Sequence, residues 1–107
     1  MDYIEEHLHD AIPVDKLAVQ CALSPDHLIH LFKKETGMPP AEYIRSRRVE
    51  AAGILLRYSA YSCSDIAEYL HFSSASHMGR IFRKFTGLSP SEYRRRGTED
   101  DSARSAG

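Results

Sequence analysis

The sequence predicts an all-α protein of about seven helices, and three observations support this fold class. Apolar residues recur at spacings of three and four along most of the 107 residues, which is the period of a helix with one buried face. No window of more than a few residues alternates apolar and polar side chains, as a half-exposed strand would. Ser-Pro pairs and glycines recur where helices would start and stop.

The first three helices are predicted to end before residue 38. The apolar stripes of the first two are Tyr3, Ile4, Leu8 and Ala11, then Val14, Leu17, Ala18 and Cys21. Pro13 should stop the first helix, because proline removes a helical hydrogen bond. Ser24 is predicted to cap the third helix, with Pro25 at its first position and Gly37 at its end.

The remaining four helices are also marked by their ends. The fourth begins at Pro40 and runs to about Arg57. Ser62, with an acidic residue three positions later, has the spacing of a capping box and opens the fifth. Ser73 or Ser74 caps the sixth, and the stretch "SPSE" opens the seventh. Residues 98–107 contain little to bury and are expected to be a disordered tail.

The chain contains an internal repeat. The stretch "FKKETGMPPAEY" from Phe32 returns as "FRKFTGLSPSEY" from Phe82, an offset of 50, and the region upstream repeats at an offset of 49. Two copies are too few for a solenoid, so a module used in tandem is favoured. Each copy has helix-turn-helix spacing, which divides the chain into a first subdomain (1–38), a linking helix (39–58), a second subdomain (59–97) and the tail (98–107).

Charge is distributed unevenly, although the formal net charge at pH 7 is only -1. Residues 1–15 hold five acidic and no basic side chains, and the tail is also acidic. Residues 16–97 hold 13 Lys and Arg against seven Asp and Glu. The repeated region is therefore basic between acidic flanks, a distribution that can steer a polyanion toward it.

Several classes of protein are disfavoured. No apolar run approaches the roughly 18 residues of a membrane span, and the acidic start does not resemble a secretory leader, so a cytoplasmic protein is expected. Cys21 and Cys63 lack CxxC spacing and are expected to be small buried side chains of a reduced protein. No catalytic set, cofactor motif or convergent metal ligands are recognisable, so we expect no enzyme, no cofactor and no metal.

A helical wheel divides the second helix of each module into two faces. The predicted buried faces are Leu28, Leu31, Phe32 and Glu35, and Met78, Ile81, Phe82 and Phe85. The residues expected to face base edges in the major groove are Asp26, Ile29, His30, Ala75, Ser76, Gly79 and Arg80. Those expected to meet phosphates through side chains or N-cap amides are Ser24, Lys33, Lys34, Ser73, Arg83 and Lys84. Arg80 suits guanine, because a guanidinium can bond O6 and N7 together.

The length of the linking helix suits the use of both modules on one duplex. At 1.5 Å per residue it spans roughly 27 Å, compared with roughly 34 Å for one turn of DNA. Two recognition helices on such a spacer would enter successive major grooves. A helical domain with a basic face can also bind an acidic protein, and that alternative stays open at this stage.

Three stretches together resemble the DNA-binding domain of the AraC/XylS family of bacterial transcription regulators: "LSPDHLIHLFKKETGMPPAEYIRSRRVEAAGILL", "DIAEYLHFSSASHMGRIFRKFTG" and "SPSEYRRR". The resemblance implies a homeodomain-like tandem of two helix-turn-helix units on a long central helix, with the seven residues named above at the base-facing positions. It also implies double-stranded DNA and RNA polymerase as partners. Since family members usually carry an effector-sensing or dimerising domain before this one, we expect the chain to be the C-terminal part of a longer effector-responsive regulator.

The sequence departs from the family pattern at a few positions. His71 stands in the second turn where glycine is usual, so a strained turn is expected. Met78 replaces a usual Phe, and Arg47 stands where an apolar residue is commoner. Arg80 is the only long side chain on the base-facing edge of the second unit, which is therefore expected to read less sequence and to position more backbone.

Overall fold

The computed structural model describes residues 2–97, and its regular structure over this range is entirely helical. The helices are α1 (Asp2–Glu6), α2 (Val14–Gln20), α3 (Pro25–Thr36), α4 (Pro40–Tyr58), α5 (Cys63–Tyr69), α6 (Ala75–Thr86) and α7 over residues 90–97. The predicted all-α fold of about seven helices is confirmed. The predicted tail, 98–107, lies outside the described residues. In the part of the chain that is described, no helix is long and apolar enough to cross a membrane.

The chain divides into two compact units, one up to Arg48 and one from Val49 onward. The boundary lies inside α4, so the first half of this helix belongs to one unit and its second half to the other. Helix α2 packs on α3 in the first unit, and α5 packs on α6 in the second. The repeat seen in the sequence is therefore a repeat of helix pairs.

The core of the first unit is apolar and centres on Phe32. Its buried side chains are Ile4, Leu8, Leu17, Ala18, Leu28, Phe32 and Ile44. The ring of Phe32 meets Tyr43 edge-on, with 5.4 Å between the ring centroids. This arrangement is favoured by the quadrupoles of the two rings and anchors α3 on the start of α4.

The second unit repeats this core around Phe82. Its buried side chains are Val49, Ala52, Leu56, Ile66, Ala67, Leu70, Phe72, Met78 and Phe82. The ring of Phe82 meets Tyr93 edge-on at 5.1 Å, as Phe32 meets Tyr43. Gly53 of α4 leaves space for the ring of Tyr93, because a Cβ at Gly53 would lie 3.2 Å from the Tyr93 hydroxyl oxygen. The glycine inside a long helix thus has a packing reason.

Helix α1 ends earlier than the sequence predicts. Its last helical residue is Glu6, and turns with i to i+3 hydrogen bonds, such as His7 to Ile4 at 3.1 Å, replace the predicted continuation toward Pro13. Pro13 is instead the N-cap residue of α2. The carbonyls freed by this early end do not stay unbonded, because Arg48 donates to those of Leu8 and Asp10.

Several side chains are less buried than expected, among them Leu31 and Ile81, which are half-buried. Cys21 is exposed rather than buried, because α2 ends at Gln20 and Cys21 forms its C-cap. Cys63 is half-buried at the first position of α5. Glu35 is exposed and Phe85 only half-buried, since both lie in the last turn of their helices, beyond the reach of the core.

Candidate nucleic-acid interface

Each unit presents a helix of the same length with a serine cap at its start. The hydroxyl oxygen of Ser24 accepts a hydrogen bond from the amide of His27 at 3.2 Å, and that of Ser74 accepts from His77 at 3.0 Å. Such a cap satisfies one of the amides that a helix start leaves without a partner. Ser74, not Ser73, is therefore the N-cap of α6, and the predicted amide contact at Ser73 has to be moved by one residue.

The ends of these two helices are also duplicated. Thr36 donates its hydroxyl to the carbonyl of Phe32 at 2.7 Å, and Thr86 donates to that of Phe82 at 2.8 Å. The following glycines, Gly37 and Gly87, are left-handed, with φ of 78° and 81°. This conformation is open to glycine and terminates the helices as predicted.

The predicted base-facing residues are placed on the outer faces of α3 and α6. Asp26, His30, Ser76 and Arg80 are exposed, whereas Ile29, Ala75 and Gly79 are half-buried. The position of Gly79 leans inward, because a Cβ there would lie 3.9 Å from Cδ of Pro90. The structure thus brings the exposed members together on each helix and leaves the three apolar ones at the edge of the face.

All six residues predicted to meet phosphates are exposed; they are Ser24, Lys33, Lys34, Ser73, Arg83 and Lys84. The four basic ones lie in the last turns of α3 and α6. There they complement the negative end of the helix dipole, and they stand one to two turns after the base-facing residues. Each helix therefore offers a polar face at its start and cations at its end.

The turn that leads into each of these helices contains a strained residue. Ala22 has a φ of 55° and His71 a φ of 62°, in the left-handed region that non-glycine residues avoid. In both turns the next amide reaches back into the helix, from Leu23 to the Ala18 carbonyl at 2.9 Å and from Phe72 to that of Ala67 at 2.8 Å. The predicted strain at His71 is confirmed. The strain at Ala22 was missed, although the offset of 49 aligns the two positions.

Replacing His71 with glycine is expected to raise the free energy of unfolding by about 0.5–1 kcal/mol. Glycine adopts a positive φ without a Cβ penalty, and this gain exceeds its larger loss of chain entropy on folding. Urea unfolding measures the change. His71→Ala is the matched control and should give no gain, since alanine keeps the Cβ; equal stabilisation by both variants would show that the imidazole, not the backbone, causes the strain.

Two arginines hold chain segments in place, and no sequence signal singled them out for this role. Arg48 donates to the carbonyls of Leu8 at 3.1 Å and Asp10 at 2.6 Å. Burial lowers the pKa of Arg48 from its ordinary value, and the nearby positive charge of Arg45 adds to that effect. The guanidinium is partly withdrawn from water and bonded to the chain near α1, so Arg48 serves the fold of the first unit.

Arg94 does the same in the second unit. It donates to the carbonyls of Leu56 at 2.9 Å, Tyr61 at 2.6 Å and Ser59 at 3.4 Å, where α4 ends. The three arginines of the run "RRR" at residues 94–96 therefore differ in their surroundings. Arg94 is turned toward the protein, and Arg95 and Arg96 are exposed.

The unusual arginine at position 47 also has a partner on the protein. Its Nε lies 2.5 Å from a carboxylate oxygen of Glu5, and both side chains are partly exposed. This pair connects α4 to α1 within the first unit. It explains how an arginine is accommodated where an apolar residue is commoner.

A cavity of about 450 Å³ lies in the second unit, between α5 and the end of α4. Its lining is mostly apolar and consists of Leu55, Tyr61, Asp65, Ile66 and Tyr69. Asp65 contributes the only carboxylate among these lining residues. Among residues 2–97 no group of three or more His, Cys, Asp or Glu side chains is arranged to hold a metal ion.

Comparison with known proteins connects this geometry to a family. Residues 17–96 match a family model described as a helix-turn-helix domain. The HTH-type transcriptional regulator YbfP of Bacillus subtilis is 38% identical over 74 residues, which cover 69% of this chain and 25% of that protein. The chain thus spans about a quarter of the length of this curated relative, and 31% of another from Escherichia coli.

Solved structures match over most of the chain. A transcriptional regulator of Chromobacterium violaceum, described by its AraC-type DNA-binding domain, superposes with a TM-score of 0.86 at 26% identity, covering 90% of this chain and 86% of that one. The DNA-binding domain of AdpA, solved in complex with a target DNA, superposes with a TM-score of 0.82 at 32% identity, covering 87% and 84%. The paired helix-turn-helix arrangement is thus shared with proteins of known structure.

Proposed function

Because the chain belongs to the AraC/XylS family of helix-turn-helix proteins, we propose that it binds double-stranded DNA sequence-specifically and thereby regulates transcription. In this proposal α3 and α6 enter successive major grooves. Asp26, His30 and Arg80 read base edges, and the basic residues at the helix ends meet phosphates.

The observation that carries the proposal is the duplicated, capped helix with an exposed polar face. A recognition helix needs a rigid start, because its first residues reach deepest into the groove. The caps at Ser24 and Ser74 and the packing of Phe32 and Phe82 supply that rigidity in each unit. The same fold in a protein solved with its target DNA adds support.

The wider biology is part of the same proposal. The chain spans about a quarter of the length of the curated relative YbfP, so a domain that senses an effector or dimerises would lie elsewhere in the full-length regulator. RNA polymerase is the second partner that the family resemblance implies. The site of action would be the bacterial cytoplasm, on the nucleoid.

The experiment that tests the proposal is selection of bound duplexes from a random library at two salt concentrations. We expect enrichment of a motif with two short patches about one helical turn apart. Binding should fall log-linearly with salt, by nearly one unit of slope for each phosphate contacted. If no motif is enriched and no duplex is retained, the proposal is contradicted, and binding to an acidic protein becomes the favoured function of the basic surface.

Arg80→Ala is expected to cost about 1–3 kcal/mol of discrimination at one base pair, because it removes a donor pair aimed at a base edge. Lys33→Ala should instead weaken binding to the selected site and to its single-base variants by the same factor, since a phosphate contact carries no sequence information. Both residues are exposed, so neither change should perturb the fold. Affinities for the selected site and for single-base variants measure the difference, and identical profiles for the two variants would contradict the division of roles.

A further inference from the structure

The two units carry opposite charge. Counted from the sequence with histidine neutral, the first unit over residues 2–48 has eight acidic and six basic side chains, a net charge of -2. The second unit over residues 49–97 has four acidic and seven basic side chains, a net charge of +3. Within the repeated region the excess is the same in both units, +3 over residues 16–48 and +3 over residues 49–97, so the negative net charge of the first unit comes from the five acidic residues among its first 15 positions.

The difference is visible on the two recognition helices themselves. Positions 50 residues apart are equivalent, so Asp26 on α3 corresponds to Ser76 on α6, and His30 corresponds to Arg80. All four side chains are exposed. The second unit thus has a neutral hydroxyl where the first has a carboxylate, and a guanidinium where the first has an imidazole. A phosphate approaching the start of α3 meets a carboxylate, and one approaching the start of α6 does not.

The residues that follow extend this contrast. Glu35 is exposed in the last turn of α3, whereas its counterpart Phe85 is an apolar residue. On the helix after that, half-buried Ser46 corresponds to exposed Arg96. The cations at the end of α3 thus lie on a helix that also carries exposed acids, and those at the end of α6 do not.

Two of the three arginines of the first unit are turned toward the protein, whereas Arg45 is exposed. Arg47 pairs with Glu5, and Arg48 donates to backbone carbonyls. In the second unit Arg94 is held in the same way, and both Arg95 and Arg96 are exposed.

We infer that the second unit holds the chain on DNA of arbitrary sequence, and that the first unit engages only where its bases match. The inference rests on the DNA binding proposed above. Affinity for arbitrary sequence comes from neutralising phosphates, so a unit of net charge -2 gains little from it. Asp26 and Glu35 lie on the same helix as Lys33 and Lys34 and offset part of their charge at moderate salt, where screening acts over about 10 Å. At the matching site, hydrogen bonds to base edges supply the missing free energy.

Two double variants of the full chain test this division of labour. R83Q/K84Q and K33Q/K34Q change equivalent positions of α6 and α3, all four exposed, and each removes two positive charges. A difference between them therefore cannot arise from net charge. Fluorescence anisotropy would measure binding to a random-sequence duplex and to the selected site between about 50 and 200 mM salt, the range over which phosphate contacts dominate the change.

On the random duplex, R83Q/K84Q is expected to lower the salt slope by about 1.8 and the affinity by roughly 10-fold or more. K33Q/K34Q should have a several-fold smaller effect on that duplex, yet weaken binding to the selected site about as much as R83Q/K84Q does. Equal losses on the random duplex, or a larger loss for K33Q/K34Q, would overturn the inference. A wild-type chain that binds neither duplex would overturn the proposed function as well, and is recognised by the lack of any salt-dependent binding.

A measurement without variants gives a second check. Backbone amide shifts in NMR spectra, recorded as the random duplex is added, are expected to change over residues 75–86 and to stay small over 25–36. Addition of the selected site should then move both sets. Equal changes in both helices on the random duplex would overturn the inference.

Discussion

Replacing Phe82 with alanine is expected to lower the free energy of unfolding by about 3–5 kcal/mol, the largest effect of any substitution considered for this protein. The side chain is fully buried, and its ring packs edge-on against Tyr93 at 5.1 Å. Truncation removes the apolar contacts and leaves a cavity that the surrounding helices fill only in part. Urea unfolding of the full chain measures the loss.

Phe85→Ala is the matched control for this prediction. It deletes the same group from the same helix at a half-buried position, so a loss of about 1–2 kcal/mol is expected. Equal losses for the two variants would mean that Phe85 belongs to the core. The sequence predicted that position for Phe85, whereas the structure shows it half-buried. The comparison therefore tests where the core of the second unit ends.

Arg94→Ala is expected to cost about 2–4 kcal/mol of stability. The change removes charge-assisted hydrogen bonds to three carbonyls at the end of α4, each such bond contributing about 1.5–3 kcal/mol without full additivity. Because those carbonyls belong to Leu56, Ser59 and Tyr61, the segment between α4 and α5 should loosen first. Chemical denaturation measures the total, and amide hydrogen exchange over residues 59–62 locates it.

The adjacent Arg95→Ala provides the control, since this side chain is exposed and should change stability by less than about 0.5 kcal/mol. Both variants remove one positive charge from α7. If Arg95→Ala were as destabilising as Arg94→Ala, the loss would come from the charge at the end of the helix rather than from the hydrogen bonds.

Local signals explain why most of the fold could be predicted. The starts of α3, α5 and α6 depend on a serine hydroxyl within three residues of the amide that it caps, and their order along the chain follows directly. The strain at His71 could be predicted because histidine stands at a turn position where the family usually has glycine. The exposed members of the recognition faces follow from the helical period alone.

The prediction was wrong where distant residues decide the outcome. Helix α1 ends at Glu6, and Arg48, about 40 positions away, donates to the carbonyls of Leu8 and Asp10 that a longer helix would have bonded internally. The predicted cap of α6 was Ser73 or Ser74, and the structure identifies Ser74. Gly79 is half-buried with Pro90 of α7 beside it, which the helical period did not indicate, and its contact with bases stays a prediction.

An all-helical chain with a repeated helix-turn-helix could be predicted from the sequence, together with the residue types available for contact with a polyanion, because each of these depends on neighbours within about four positions. Packing in the folded chain was needed to show which arginine of "RRR" faces inward. It also decided that Gly53 makes room for Tyr93, and where the boundary between the two units falls. The first two outcomes depend on contacts between residues about 40 positions apart, and no local pattern encodes such contacts.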